Sequence, residues 1–261
     1  MKTFRLSIIL LLLLGAISCK KTDSSTTDTS VTTDQAADIA AGSLSVNSNG
    51  LASVSDDISA NAQTMASVNT GSQSVNSTGL ASVHQACGST VTDSVSRQSP
   101  AGATAIFNYF FKYSRTLNCN VAGQSDNLVN SLIYHGSFDG PNLSSSNSGN
   151  AAVTIAGLTT TATHFVVNGQ YKRIGSFQSK VGNKNSGQDT VSIVATNITL
   201  TKPDRKISGG TATIAVSGVT SKHGSFKYNG TIVFNGDGTA TLTINGAAYA
   251  IDMVTGFKTK H

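Results

Sequence analysis

The chain has 261 residues, with eighteen lysines and arginines against thirteen acidic residues, and all thirteen are aspartate. A chain with no glutamate excludes the glutamate-dependent sites of many glycosidases and metalloproteases, and the missing tryptophan removes the largest aromatic platform for stacking a sugar. Charge is uneven: residues 19–96 hold two lysines and seven aspartates, a net of −5, while residues 97–261 hold fourteen basic and six acidic residues, a net of +8. The basic residues of the second part, such as Arg97, Lys112, Arg115, Lys172, Arg173, Lys202, Arg205, Lys206 and Lys227, stand singly or in pairs on alternating positions. That pattern reads as solvated strand faces rather than a basic stripe following a phosphate backbone, so no nucleic-acid partner is expected.

At the start of the chain, Lys2 and Arg5 precede an almost unbroken apolar run from Ile8 to Ala16, the order of a secretory signal. The run is shorter than the roughly 20 residues a membrane-spanning helix needs. Ala16-Ile17-Ser18 then leads directly into Cys19. This basic start, short apolar run, small residues and cysteine resemble the lipobox signal peptide of bacterial lipoproteins. The resemblance implies removal of residues 1–18, acylation of Cys19 on its sulfur and its new amino terminus, and a membrane partner reached through that anchor. A simple secreted chain or a buried cysteine is the alternative. At about 0.8 kcal/mol per buried CH₂, two or three palmitate-type chains on one residue anchor a protein stably. Lys20, not aspartate, follows Cys19, which in such lipoproteins points to the outer membrane.

Residues 19–33, including "KKTDSSTTDTSVTT", carry almost nothing apolar and read as a disordered tether. Residues 34–96 form a Ser/Ala/Asn-rich segment. Thr32 and Gln35 stand at capping-box spacing before an alanine-rich run, predicting a short helix over 34–44. Leu51, Val54, Ile58 and Met65 line one face of a second helix. A two-copy repeat, "SVNSNGLASV" (45–54) and "SVNSTGLASV" (74–83), differs only at Asn49 and Thr78. Two copies cannot bury a solenoid core, so the repeat reads as a duplicated helix start before Leu51 and Leu80. An adhesin-like array is the rival reading. Apart from Cys19, the chain has two cysteines, Cys87 and Cys119. In an exported protein that even pair reads as a disulfide.

From residue 97 onward the hydrophobic period becomes two. "IFNYFFKYSRTL" puts Phe107, Tyr109, Phe111, Tyr113 and Leu117 on one face, the strongest strand in the chain. "SLIYHGSF" and "AAVTIAGL" follow, and "THFVVNGQYKRIGSF" reads as a hairpin turning at Asn168-Gly169. "DTVSIVATNITLT" and "KISGGTATIAVSG" read as long strands joined around Pro203. The last strands turn at 235–238 and at Asn245-Gly246. Short connections make neighbours antiparallel. The expected fold is therefore mainly β: an antiparallel meander of about ten strands over 97–261, forming a barrel or strongly curved sheet, with the helical segment over an opening or an edge.

The helical lead, "ACGSTVTDS", "NGQYKRIGSF", "KISGGTATIAVSG" and "GTIVFNGDGTATLTINGAAYAIDMVTG" also resemble cell-envelope lipoproteins of the Bacteroidetes group. That resemblance implies a fold and a location, and no activity.

The motifs that carry chemistry are weak. There is no G-x-S-x-G elbow, and in "VGNKNSGQD" Gln188 stands where a phosphate-binding loop needs lysine. "NGDGT" (235–239) opens like a calcium loop but equally suits a tight turn, and no bidentate acid follows. His135, His164 and His223 lack ligand spacing, and His261 ends the chain. Neither metal nor cofactor is expected. Tyr171 and Arg173 share a strand face and read as an exposed pair more readily than as an anion clamp. "DSV" (93–95) and "DTV" (189–191) resemble the short O-glycosylation pattern of Bacteroidetes exported proteins, at Ser94 and Thr190. The leading expectation is a lipid-anchored, non-enzymatic binding or structural module with an envelope or small-molecule partner. The alternatives are a carrier of lipids or other apolar ligands inside the sheet, and a hydrolase pairing an aspartate such as Asp139 or Asp252 with a histidine.

Overall fold

A computed structural model describes residues 30–67, 74–75, 81–82, 85–222 and 224–261. Two helices come first: α1 (Thr33–Leu44) and α2 (Leu51–Ser67). A two-stranded pair follows, β1 (Ser74–Val75) with β2 (Ala81–Ser82). Then come β3 (Thr90–Gln98), β4 (Ile106–Cys119), β5 (Ser125–Asp139), β6 (Leu143–Ala156), β7 (His164–Ser179) and β8 (Ser186–Thr201). The chain ends with β9 (Ile207–Thr220), β10 (Gly224–Phe234), β11 (Thr239–Ile244), β12 (Ala247–Asp252) and β13 (Lys258–Lys260). Strands β3 to β13 pair in sequence order as one eleven-stranded antiparallel meander. It begins at Thr90, inside the segment read from sequence as helical. The sheet does not close: its end strands β3 and β13 share no ladder.

Strand alternation builds the core. Tyr109, Phe111, Tyr113, Leu128, Leu132, Tyr134, Val191, Ile193, Leu242 and Ile251 all point inward and are buried. The other face is largely Ser, Thr and Asn, with single exposed aliphatics such as Ile133 and Val219. What fills the inside of the curve is α1. Every residue from Gln35 to Leu44 is buried, so beyond its exposed first turn at Asp34 the helix has no solvent face. Its alanines, with Gly42 against Leu143 and Arg173, keep it thin enough to lie there. Thr32 and Gln35 form the expected capping box. Gln35 also donates to Ser179 Oγ and the Val181 carbonyl, pinning the helix start to the β7–β8 turn.

Two readings are corrected. Asn168-Gly169 is no hairpin, because β7 runs straight through it and pairs with β6 without a break from Val166 to Ser179. The pair instead forms a bulge toward β8, where Asn168 Oδ1 accepts from the Asn197 backbone at 2.8 Å. A Cβ on Gly169 would lie 2.2 Å from the Ala152 carbonyl oxygen, so only glycine fits. The asparagine-glycine turn is real at Asn245-Gly246, where both residues have positive φ. The repeat is likewise no duplicated helix start. Leu51-Ala52-Ser53-Val54 opens α2, whereas Ala81-Ser82 of the second copy is strand β2. Tertiary surroundings outweigh local propensity for so short a segment.

Cys87 and Cys119 are disulfide-bonded with Cα atoms 5.6 Å apart, tying the approach to β3 onto the end of β4. Replacing both with serine is expected to destabilise the fold by about 3 kcal/mol. The check is urea unfolding of the oxidised protein and the double variant. Coincident midpoints would show that the cross-link contributes nothing.

Candidate binding cleft at the open seam

The turn between α1 and α2 reaches the place where the sheet fails to close. Val46 and Asn47 donate backbone N–H groups to the carbonyls of Met253 and Val254, each at 2.9 Å, so the turn extends the β12–β13 connection. Asn49 adopts φ 54° and Gly50 packs against Ser43 and Leu44. Asparagine is among the few non-glycine residues that tolerate this left-handed conformation.

Asp56 and Asp57, the chain's sole adjacent acid pair, follow within α2 and reach opposite walls. Asp57 Oδ1 accepts from Arg97 Nη2 of β3 at 2.7 Å, and its other oxygen accepts a short hydrogen bond from the Tyr113 hydroxyl of β4. Asp56 Oδ1 accepts from Arg205 Nε in the β8–β9 turn at 2.8 Å. Arg205 also reaches Gln63, and Arg97 reaches Ser53. Thus α2 is gripped from both sides. Burial pushes the Asp57 carboxyl up to about 6, with Arg97 and Tyr113 opposing that rise only partly.

Between these walls lies a cleft of about 1070 Å³. Its apolar lining comes from Val46, Ala52, Val95, Phe107, Ile207, Met253 and Val254. Four aspartates (Asp56, Asp57, Asp204, Asp237) and three cations (Arg97, Arg205, Lys206) also line it. Asp237 accepts from the Thr239 N–H and hydroxyl, so "NGDGT" is a tight turn whose carboxylate is engaged. Inside the cleft, the Asn49 side chain is 2 % exposed, and its Nδ2 has no hydrogen-bond partner.

The residues singled out in the sequence lie elsewhere and apart. Cys19, with the signal and tether around it, and His223 fall outside the described residues. His135 is exposed on the outer face beside Phe110, and His164 is exposed with Nδ1 at 2.8 Å from the Thr163 hydroxyl. His261 donates its backbone N–H to Ala248. Asp139 pairs with Lys180 at 2.5 Å. Asp252 accepts three hydrogen bonds in its own turn, which hold its carboxyl below the usual range. Ser94 is exposed on β3, and Thr190 is half-buried on β8. No group of three His, Cys, Asp or Glu residues is placed to hold a metal among the described residues.

The exposed reading of Tyr171 and Arg173 is overturned, because both side chains point inward and each is 2 % exposed. Arg173 Nη2 donates to Asp189 at 3.0 Å and to the Ile39 carbonyl of α1 at 3.3 Å. The Tyr171 hydroxyl accepts from Tyr134 at 2.7 Å. Arg115 is also buried, paired with Asp93. These arginines are therefore not part of a solvated face. Inward-facing carboxylates take the place of water. The Asp56-Asp57 pair is not among the residues singled out in the sequence, and Arg205 reads there only as one of the scattered solvated cations. The available signal was an acid pair inside an otherwise small and apolar helix.

No family model, curated protein or solved structure matches the chain.

The raised Asp57 carboxyl gives a directional pH prediction. Its folded value lies above its unfolded one, so the folded state holds the extra proton between about 4 and 6. This group's contribution to stability is therefore greatest below pH 4 and declines as pH rises through 6. Carboxyl-carbon NMR should show Asp57 titrating near 6, and Asp57→Asn should flatten that part of the stability profile. Titration of Asp57 below 4 would overturn the assignment.

Proposed function

We propose that this is a non-enzymatic binding module of the cell envelope, held at the outer membrane by acyl chains on Cys19, with the seam cleft as its binding face. The observation that carries the reading is the cleft itself. It is concave and largely apolar, built from the helical turn, the first strand of the meander and three turns of the sheet, and most of its charges are already paired. Such a surface has the properties of a ligand site. The disulfide between Cys87 and Cys119 supports export to an oxidising compartment, in keeping with the signal-like start of the chain.

The carrier reading, with cargo inside the curved sheet, has less support. Helix α1 occupies that interior, and cargo there would have to displace a helix buried from Gln35 to Leu44. The hydrolase reading has less support still. Asp139 and Asp252 are held by Lys180 and by a turn, while His135 and His164 sit exposed on different strands. Binding at the cleft needs no such pair.

Attachment is tested by growing the source organism with radiolabelled palmitate. Label should enter the full chain and be absent from Cys19→Ala, which should also fail to be processed. An unlabelled wild-type chain would sink the anchor while leaving the cleft to be judged separately.

A further inference from the structure

Taking the seam cleft as the binding face, we infer that its occupant is an extended peptide segment of a partner protein, added as one more strand to the free edge of β3. The inference deepens the reading above and rests on it.

The first observation is the edge. Strand β3 pairs on one side only, with β4, in an unbroken register from Thr90 to Gln98. Just beyond the ends of that ladder, Ser99 N–H donates to the Phe107 carbonyl and Leu117 N–H to the Ser89 carbonyl. Bonded and non-bonded positions alternate along an antiparallel pair, so the odd-numbered residues of β3 are the ones that bond to β4. Thr90, Thr92, Ser94, Ser96 and Gln98 turn their N–H and C=O groups the other way, where no strand pairs with them among the described residues. Ser96 lies in the cleft lining between Val95 and Arg97. Donors and acceptors that repeat every second residue, about 6.4–6.8 Å apart, are matched by another extended backbone. A hydrocarbon chain has nothing to offer them.

The two ends of the sheet are finished differently. Strand β13 has three residues, two of them lysine, and short, lysine-bearing edges resist strand addition. Strand β3 has nine residues, with no lysine, no proline and no bulge. Its two charges, Asp93 and Arg97, are neutralised by Arg115 and Asp57. The edge that opens on the cleft is thus the one left able to pair.

The walls suit a single strand. Val95 and Phe107 line the β3 side, and Ile207, Met253 and Val254 line the rest. Alternate side chains of an added strand would meet this apolar surface while the others stayed in water. Charge does not choose a different ligand. Of the four aspartates and three cations in the lining, Asp57 holds Arg97, Asp56 holds Arg205, and Asp237 is engaged in its own turn. Asp204 and Lys206 remain, both exposed and in no ion pair among the described residues. One free charge of each sign gives no net pull toward an anion or a cation, and a polypeptide is able to answer both.

The test uses the purified full chain and, as probe, an acetylated and amidated hexapeptide alternating threonine and valine, with amide hydrogen exchange followed residue by residue by NMR. In the free protein the Ser94 and Ser96 amides should exchange at least about tenfold faster than those of Val95 and Arg97, which β4 protects. The peptide should slow Ser94 and Ser96 about tenfold and leave Val95 and Arg97 as they were. Ser96→Pro removes the outward N–H inside the cleft and no bond to β4, a place on an edge where proline is tolerated. It should abolish the protection of Ser94 by the peptide, while the Phe111 and Tyr113 amides of β4 stay protected. Val254→Arg, at a side chain 53 % exposed on the cleft wall, should weaken peptide binding about fivefold or more with the fold unchanged. A peptide that shifts the Val254 resonances yet leaves Ser94 and Ser96 exchanging freely, or that binds Ser96→Pro as well as the wild type, would overturn strand addition and keep the cleft as a binding face. No response at the solubility limit of the peptide would do the same. Ser94 and Ser96 amides already slow in the free chain would show the edge covered by the chain itself or, if the slowing grows with protein concentration, by a second copy, and either overturns the partner. Peptide contacts confined to residues outside the cleft would overturn both readings.

Discussion

A sheet of eleven strands that does not close has no ladder to join its two ends, so another interaction must do so. Here it is ion pairing between the aspartates of two helices and the cations of the sheet. Asp57 of α2 holds Arg97 on the first strand of the meander, and Asp56 holds Arg205 across the cleft. Asp38 and Asp34 of α1 hold Lys258 and Lys260 on the last strand. Five of the seven ion pairs among the described residues join the acidic first part of the chain to its basic second part. The charge asymmetry visible in the sequence is thus largely satisfied within the molecule. Asp34–Lys260, more than half exposed, is screened by water and contributes little. The largely buried pairs, such as Asp57–Arg97 and Asp38–Lys258, add little to net stability, but removing one partner leaves the other unsolvated, typically at about 3–5 kcal/mol. Their main effect is to fix which side of each helix faces which strand.

The same logic extends into the interior. An alanine-rich helix buried on every side beyond its first turn cannot fill the hollow of the sheet with large side chains of its own, so the sheet supplies them. Tyr109, Phe111, Tyr113, Tyr134 and Tyr171 form a continuous aromatic band with centroid separations of 5.6–6.2 Å. Their hydroxyls need partners in a dry environment and find them in Asp57, Asn147 and one another. Arg173 then connects this band to Asp189 and to α1 through the Ile39 carbonyl. The network is satisfied only in part, because Asn147 Oδ1, Arg173 Nε and Asp189 Oδ1 have no hydrogen-bond partner among the described residues; the bonds it does make still favour one packing over others.

The parts of the fold that could be read in the sequence are those set by neighbours in the chain. The β4 face from Phe107 to Leu117, the turn at Asn245-Gly246, the capping box at Thr32 and Gln35, and the cysteine pair all depend on local spacing or simple counting. The misread features depend on distant partners. Asn168-Gly169 carries a strong hairpin signature, yet β6 offers an unbroken ladder on one side and Asn197 a matching irregularity on the other. Arg173 read as exposed because it is charged, although alternation puts it on the same face as Phe165, Val167 and Tyr171; the carboxylate that makes its burial possible arrives from the next strand. The cleft was the least legible feature, since its walls come from segments that only the wound sheet brings together.

One consequence follows from threading a helix through a meander. Each strand is laid down beside its immediate predecessor, so the sheet can grow hairpin by hairpin in the order of synthesis. Helix α1 is among the earliest elements made, yet it touches β6, β7, β8, β9, β11, β12 and β13. Its surroundings are therefore complete only when the carboxy-terminal strand arrives with Lys258 and Lys260. A helix and a strand far apart in the chain thus complete the fold together, and this gives β13 a weight in assembly that its three residues would not suggest.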